Sequence, residues 1–151
     1  GVRTFEAAAF LRRCGADVTR VRKMFRDDVK SYRAKAEAIR HVETYKTCFA
    51  IAVCPSEGID SPTVVASQAA NELLNVDSIK ATFVLTDYQG KIFISARAID
   101  EVNVQLIMEK MGGGGHINMA GAQLPGVTVE EAIRQLKATL DQMMKEGDIE
   151  V

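Results

Sequence analysis

Hydrophobic and polar positions recur at two different spacings along this chain, and each spacing predicts one kind of element. Apolar residues at helical spacing occupy residues 4–11, 21–43, 61–74, 103–111 and 128–146. Continuous or alternating apolar runs predict strands over residues 47–53, 79–86, 91–97 and 120–124. The order of these elements predicts an α/β fold, with a mixed β-sheet flanked by helices and an N-terminal helical extension.

Capping residues mark where several of the predicted helices begin and end. The predicted N-cap positions are Ser61 ahead of Pro62, Asn103, and Thr128 with Glu131 three residues on. Gly112 follows Met111 at a position where glycine commonly closes a helix. The glycine-rich run that starts at Gly112 therefore has, in part, a structural task.

The composition narrows the class of protein. The chain has 151 residues, of which 47% are hydrophobic and 26% charged, as expected for one globular domain or a domain with an appendage. The net charge of −1 provides no global basic field, so we expect no long nucleic acid as partner. The three cysteines form no C-x-x-C pair and are interpreted as reduced thiols of a cytosolic protein. A local site for a small anionic ligand stays open.

The run Gly112 to Gly115, followed by His116, is the strongest candidate for chemistry. Backbone N–H groups of glycine can approach an anion closely, because no Cβ stands in the way. His116 adds a donor that can be neutral or charged near pH 7. The run is interpreted either as a phosphate-binding loop or as a flexible connector that ends in histidine. In the first interpretation, Gly113 to Gly115 form the phosphate cradle.

Polar residues close to the glycine run in the sequence could converge on it. Ser95 and Arg97 share one face of the strand predicted over 91–97, and the planar guanidinium suits bidentate phosphate binding. Asn103 and Asn118 could read a base or a ribose, although Asn103 also serves as an N-cap without any ligand. No metal-ligand spacing and no Ser/His/Asp or Cys/His arrangement is visible, so no catalytic residue and no metal ligand are assigned. The sequence thus predicts ligand-binding groups without the machinery for phosphoryl transfer.

These motifs together resemble the DHH-associated domain of the DHH phosphoesterase superfamily. The residues that carry the resemblance are Ile94 to Arg97, Val102 to Lys110, Gly112 to His116 and Met119 to Gln123. Within the superfamily, the chain looks most similar to the C-terminal part of GdpP-type cyclic-di-AMP phosphodiesterases. The family strand often reads Ser-x-Arg-Ser, and Ala98 replaces the second serine here.

The resemblance implies a division of labour between two domains. Residues 1–44 are expected to be a helical tail or linker from a preceding DHH catalytic domain, and residues 45–151 the DHH-associated substrate-binding domain. The absent DHH domain is expected to hold two manganese ions, so this chain is expected to be an inactive substrate-recognition fragment of a phosphodiesterase. The implied substrate-binding residues are Ser95, Arg97, Asn103, Gly113, Gly114, Gly115 and His116.

The resemblance also implies partners. The ligand is expected to be a cyclic or linear dinucleotide or a mononucleotide, and the protein partner is expected to be the DHH catalytic domain. Whether the chain forms a homodimer is left undecided. The parent protein is expected to be membrane-anchored in bacteria, with this part on the cytoplasmic side. Two alternatives remain: a nanoRNase or phosphoadenosine phosphatase of the same superfamily, and a non-catalytic nucleotide- or RNA-binding module.

Overall fold

A computed structural model of the chain describes residues 1–15, 17–24, 26–99 and 102–150. The elements in these residues are α1 (Val2–Arg13), α2 (Val18–Met24), α3 (Val29–Arg40), β1 (Glu43–Tyr45), β2 (Phe49–Val53), α4 (Pro62–Leu73), β3 (Ala81–Tyr88), β4 (Lys91–Ala98), α5 (Val104–Lys110), β5 (Gly114–His116), β6 (Met119–Pro125) and α6 (Val129–Lys145). None of the helices in these residues combines the length and apolarity needed to cross a bilayer.

The strands form one mixed sheet in the order β1-β2-β3-β4-β6-β5. β2 and β3 are parallel and are joined through α4, because two parallel neighbours need a crossover connection. The other neighbouring strands are antiparallel. Gln89 and Gly90 both have positive φ and close a two-residue hairpin between β3 and β4. The predicted α/β fold, with a mixed sheet and flanking helices, is confirmed.

The two faces of the sheet are covered to different extents. On one face, α5 and α6 pack against a core that includes Ile92, Ile94 and Ala96 of β4. On the opposite face, α3 and α4 pack against β2 and β3, and α4 reaches only the near side of β4. His116 and Gln123 are exposed there. We call this uncovered part, formed by β4, β6 and β5 opposite α5 and α6, the open face.

Local capping patterns agree with the predicted helix ends. The Asn103 Oδ1 accepts a hydrogen bond from the Leu106 N–H at 3.2 Å, and the Thr128 Oγ1 accepts one from the Glu131 N–H at 3.1 Å. Gly112 has a φ of +84°, and its N–H and that of Gly113 donate to carbonyls in the last turn of α5. This is the glycine-closed helix end that the sequence predicts. Ser61 occupies the N-cap position of α4 but makes no side-chain capping bond.

The predicted helix over residues 21–43 is wrong in its extent. The chain forms two helices in this region, because the Asp28 carboxylate accepts a hydrogen bond from the Ser31 N–H at 2.8 Å and starts α3 anew. Residue 25 of the predicted helix lies outside the described residues. The helix also ends at Arg40, and Glu43–Tyr45 form the unpredicted strand β1.

Helix α3 packs against the sheet. Its residues Ala34 and Ala38 lie in the same core cluster as residues of α4. No residue of α1 is buried. The division of the chain between residues 44 and 45 stays a prediction.

Candidate functional site

Strand pairing brings four of the predicted residues together on the open face. The cross-strand rows are Arg97–Met119–His116 and Ser95–Gly121–Gly114. Directly paired residues of neighbouring strands lie on the same face of a sheet. The open face therefore carries Arg97, Ser95, Gly114 and His116 within two adjacent rows.

The glycine run is only partly a loop. Gly114–His116 form the edge strand β5, which turns through Ile117 and Asn118 into β6. The prediction of a loop is therefore wrong for Gly114–His116, because glycine has low strand propensity and the pairing with β6 is not visible in the run itself. The small residues Ala120 and Gly121 of β6 let the glycine backbone come close enough to pair.

Three glycines of the run differ in what surrounds them. A Cβ on Gly113 would lie 2.0 Å from the carbonyl oxygen of Gly121, and a Cβ on Gly115 would lie 2.5 Å from that of Met119. A Cβ on Gly114 would meet no atom within 4 Å. Gly113 and Gly115 are therefore needed for the close approach of β5 to β6. At Gly114 the missing side chain leaves open space that a ligand can occupy.

Arg97 is half-buried and incompletely hydrogen-bonded. Its Nη1 donates to the carbonyl oxygen of Ala96 at 2.8 Å, while its Nε is buried and has no partner among the described residues. Burial lowers the pKa of Arg97 from its ordinary value, yet arginine stays charged at neutral pH. A buried donor without a partner costs free energy, and most are paired in folded proteins. An anion on the open face would provide the missing acceptor once the Arg97 side chain turns outward.

A cleft of about 470 Å³ lies beside Ser95 and Gly113 and continues along β4 and β6 to Lys91 and Gln123. Thr63 of α4 borders it on the side away from β6. Clefts of this size are typical of small-molecule sites.

Ser95 is hydrogen-bonded to α4. Its hydroxyl lies 3.1 Å from that of Ser67, and the Ser67 hydroxyl donates to the carbonyl oxygen of Thr63 at 2.9 Å. Because Ser67 has one proton and gives it to Thr63, Ser95 is the donor in the pair of serines. Ser95 therefore presents lone pairs to the cleft, where it can accept a hydrogen bond from a ligand.

The structure places Asn103 outside the two rows. Its side-chain oxygen is engaged in capping α5, and the following N–H, of Val104, donates to the carbonyl oxygen of Ile117 at 3.0 Å. Asn103 thus lies near the turn between β5 and β6, and its role as a substrate contact stays a prediction.

A sequence model of the DHHA1 domain matches residues 46–146, which is most of the chain. The chain belongs to the DHHA1 domain family. The resemblance to a DHH-associated domain is thereby confirmed.

Two curated relatives are similar in sequence to this DHHA1 domain over nearly the whole length of the chain. Cyclic-di-AMP phosphodiesterase PdeA of Listeria monocytogenes serotype 1/2a (strain 10403S) is 40% identical over 146 residues, which cover 96% of this chain and 22% of that protein. Cyclic-di-AMP phosphodiesterase GdpP of Bacillus subtilis (strain 168) is 41% identical over 149 residues, which cover 97% of this chain and 23% of that protein. The chain therefore spans less than a quarter of the length of these relatives.

A solved structure shares the fold of this DHHA1 domain. The exopolyphosphatase-related protein of Bacteroides fragilis superposes with a TM-score of 0.78 at 19% sequence identity, covering 95% of this chain and 44% of that one. At this identity, the likeness concerns the fold alone.

The described residues of the DHHA1 domain do not fit a metal site. They contain no group of three or more His, Cys, Asp or Glu side chains that could hold an ion. Manganese is therefore assigned no ligand in this part of the chain.

The far end of the cleft, at Phe93, Gln123 and Lys91, was not predicted from the sequence as part of the site. The period-two alternation of β6 was the available signal, since Gln123 stands two residues after Gly121.

Proposed function

We propose that this DHHA1 domain is the substrate-recognition part of a phosphodiesterase that hydrolyses cyclic di-AMP. The curated relatives named above are cyclic-di-AMP phosphodiesterases, and the chain matches one portion of each. The observation that carries the proposal is the half-buried Arg97, with its unpartnered Nε, on the same open face as Gly114 and His116.

In this proposal the open face binds one phosphate of the dinucleotide. The Arg97 side chain turns outward on binding and its guanidinium donates to a phosphate oxygen, so that the Nε gains the acceptor that it lacks in the free chain. Gly114 leaves room for the phosphate against the backbone of β5, and the exposed His116 donates from the same row as Arg97. Positioning of this kind supplies much of the rate enhancement in phosphoryl chemistry.

The bond-breaking chemistry is assigned to another part of the parent protein. The described residues offer no cluster that could hold a metal ion, so the two manganese ions expected for the family would belong to a DHH catalytic domain. That domain is the proposed partner of the open face. A membrane-anchored parent with this part on its cytoplasmic side is likewise a proposal, and the chain by itself is proposed to be inactive.

Nucleotide binding by the purified chain tests the proposal. In an NMR titration with linear and cyclic di-AMP, we expect shifts of the Gly114 and His116 amides. Arg97→Met should weaken binding about 10- to 100-fold, because a hydrogen bond to a charged group contributes about 1.5–3 kcal/mol. The free energy of unfolding should change by less than about 1 kcal/mol, since the substitution removes both a buried donor without a partner and the hydrogen bond from Nη1 to Ala96.

The matched control is Arg40→Met, which removes an exposed arginine on α3 and should leave binding unchanged. Equal affinity of the Arg97→Met variant and the unmodified chain would contradict the proposal. Robust manganese-dependent hydrolysis by the chain alone would overturn the division of labour between domains. A strong preference for short linear over cyclic dinucleotides would favour the nanoRNase-like alternative.

A further inference from the structure

The cleft extends from the row of Ser95 and Gly121 to a third row, in the direction away from Arg97 and His116. This row pairs Phe93 of β4 with Gln123 of β6, so both side chains lie on the open face. A strand rises about 3.3 Å per residue, which puts the third row roughly 6.6 Å beyond Ser95 and Gly121. This spacing is close to the separation of the 5′-phosphate from the base within one nucleotide.

The aromatic ring of Phe93 is not part of a hydrophobic core among the described residues. It is half-buried and belongs to neither core cluster of the described residues. Its ring lies 6.2 Å from that of Tyr88 at an angle of 47°, which supports it from the hairpin end of β4. Aromatic rings in such grooves act as stacking surfaces for nucleobases, because every base has a π-face.

Gln123 provides the polar partner beside this ring. It is exposed, and its Oε1 accepts a hydrogen bond from the Lys91 Nζ at 3.4 Å, which leaves the amide N–H groups free. A glutamine amide combines one acceptor and one donor group, and this pattern matches the N6 and N7 edge of adenine.

We propose that the third row is a nucleobase subsite that favours adenine, in which the base stacks on Phe93 and is read by Gln123. This inference rests on the proposed function, because the phosphate of the same nucleotide would lie at Gly114 and Arg97. It assigns base recognition to residues of the DHHA1 domain itself, at the end of the open face away from His116.

Three probes separate the base from the phosphate in a titration of the 151-residue chain. They are AMP, ribose 5-phosphate and inorganic phosphate. We expect AMP to bind about 10-fold more tightly than ribose 5-phosphate, as base stacking on an aromatic side chain predicts. AMP should shift the ring resonances of Phe93, and ribose 5-phosphate should not.

Substitutions at the third row test the two roles separately. Phe93→Leu should bring the affinity for AMP down to that for ribose 5-phosphate, whereas Tyr32→Leu, which removes an exposed ring on α3, should keep the difference. Gln123→Ala, at an exposed position, should remove the preference for AMP over GMP.

The outcomes distinguish this inference from the proposed function. If AMP and ribose 5-phosphate bind the unmodified chain equally well, the base subsite is overturned while phosphate recognition stands. If none of the three probes binds, both proposals are overturned. If the Phe93→Leu variant still binds AMP more tightly than ribose 5-phosphate, the stacking role of Phe93 is also overturned.

Discussion

At the scale of single residues, consecutive glycines meet three separate physical demands. Gly112 adopts a positive φ that ends α5. Gly113 and Gly115 have no space for a Cβ, because the backbone of β6 lies against them. Gly114 is the glycine of β5 that has open space where its Cβ would be, so a ligand can approach it from the open face.

A substitution at Gly113 should therefore lower the stability of the fold, whereas one at Gly114 should impair phosphate binding. Gly114→Val should change the free energy of unfolding by less than about 1 kcal/mol but abolish phosphate binding, because its side chain fills the space over β5. Gly113→Ala should destabilise the fold by about 2 kcal/mol or more, since the new Cβ meets backbone atoms that have little room to move.

Chemical denaturation and an NMR titration with phosphate measure the two effects independently. Wild-type affinity in the Gly114→Val variant would show that the space over β5 is not part of the binding site. A Gly113→Ala variant as stable as the unmodified chain would contradict the close packing of β5 on β6.

At the scale of elements, the short edge strand β1 is held in place by side chains. The Tyr45 hydroxyl donates to the Asp141 Oδ1 of α6 at 2.6 Å. The Lys137 Nζ lies 2.6 Å from a carboxylate oxygen of Glu43 and 5.2 Å from the centroid of the Tyr45 ring. These contacts connect the first strand of the sheet to the last helix, and they explain how a strand of 3 residues persists at the edge.

The hydrogen bond between Tyr45 and Asp141 should make stability depend on pH in the alkaline range. This bond raises the pKa of Tyr45 from 10.0 to about 12, because it favours the neutral phenol. The folded pKa is the higher one, so the stabilisation is complete below pH 10 and is lost as the pH rises to about 12. Tyr45→Phe should therefore cost at most about 1 kcal/mol at pH 8, and this cost should vanish towards pH 12.

Urea denaturation of the unmodified chain and of the Tyr45→Phe variant, from pH 8 to pH 12, measures the difference in their free energies of unfolding. Tyr32→Phe is the control, because Tyr32 is exposed and its hydroxyl has no hydrogen bond among the described residues. A cost of Tyr45→Phe that is the same at pH 8 and pH 12 would show that the hydroxyl proton is not responsible.

At the scale of the whole molecule, the unequal covering of the sheet creates the candidate site. Helices α5 and α6 cover one face, while α3 and α4 leave β6 and β5 open on the other. The chain as a whole carries a net charge of −1. Anion recognition must therefore come from local groups such as Arg97, and not from a basic surface.

This charge balance predicts how binding depends on salt. The affinity for a linear dinucleotide should fall with the logarithm of the salt concentration with a slope of about −1, as for one or two phosphate contacts. A long single-stranded RNA should bind no more tightly per site than the dinucleotide. Fluorescence anisotropy at several salt concentrations measures both, and a much steeper slope with long RNA would favour the RNA-binding alternative.

Local patterns in the sequence predicted much of the fold. The prediction that Ser95 and Arg97 share one face of β4 is confirmed, since Ile92 and Ile94 lie in the core on the opposite face. The glycine-closed end of α5 was predicted because it depends only on neighbouring residues. Strand β5 was missed, since its glycines have low strand propensity and form a strand only through pairing with β6.

The sequence by itself determined the periodicity of most elements, the capped ends of α5 and α6 and the family, because each of these depends on residues close together in the chain or on a shared motif. The tertiary structure alone decided that Gly114 of β5 is open while Gly115 is not, that the Arg97 Nε is buried without a partner among the described residues, and that Phe93 lies beside Gln123. These features arise from the register between β4, β6 and β5 and from the helices that leave one face uncovered. Both depend on packing between segments that are distant in the sequence.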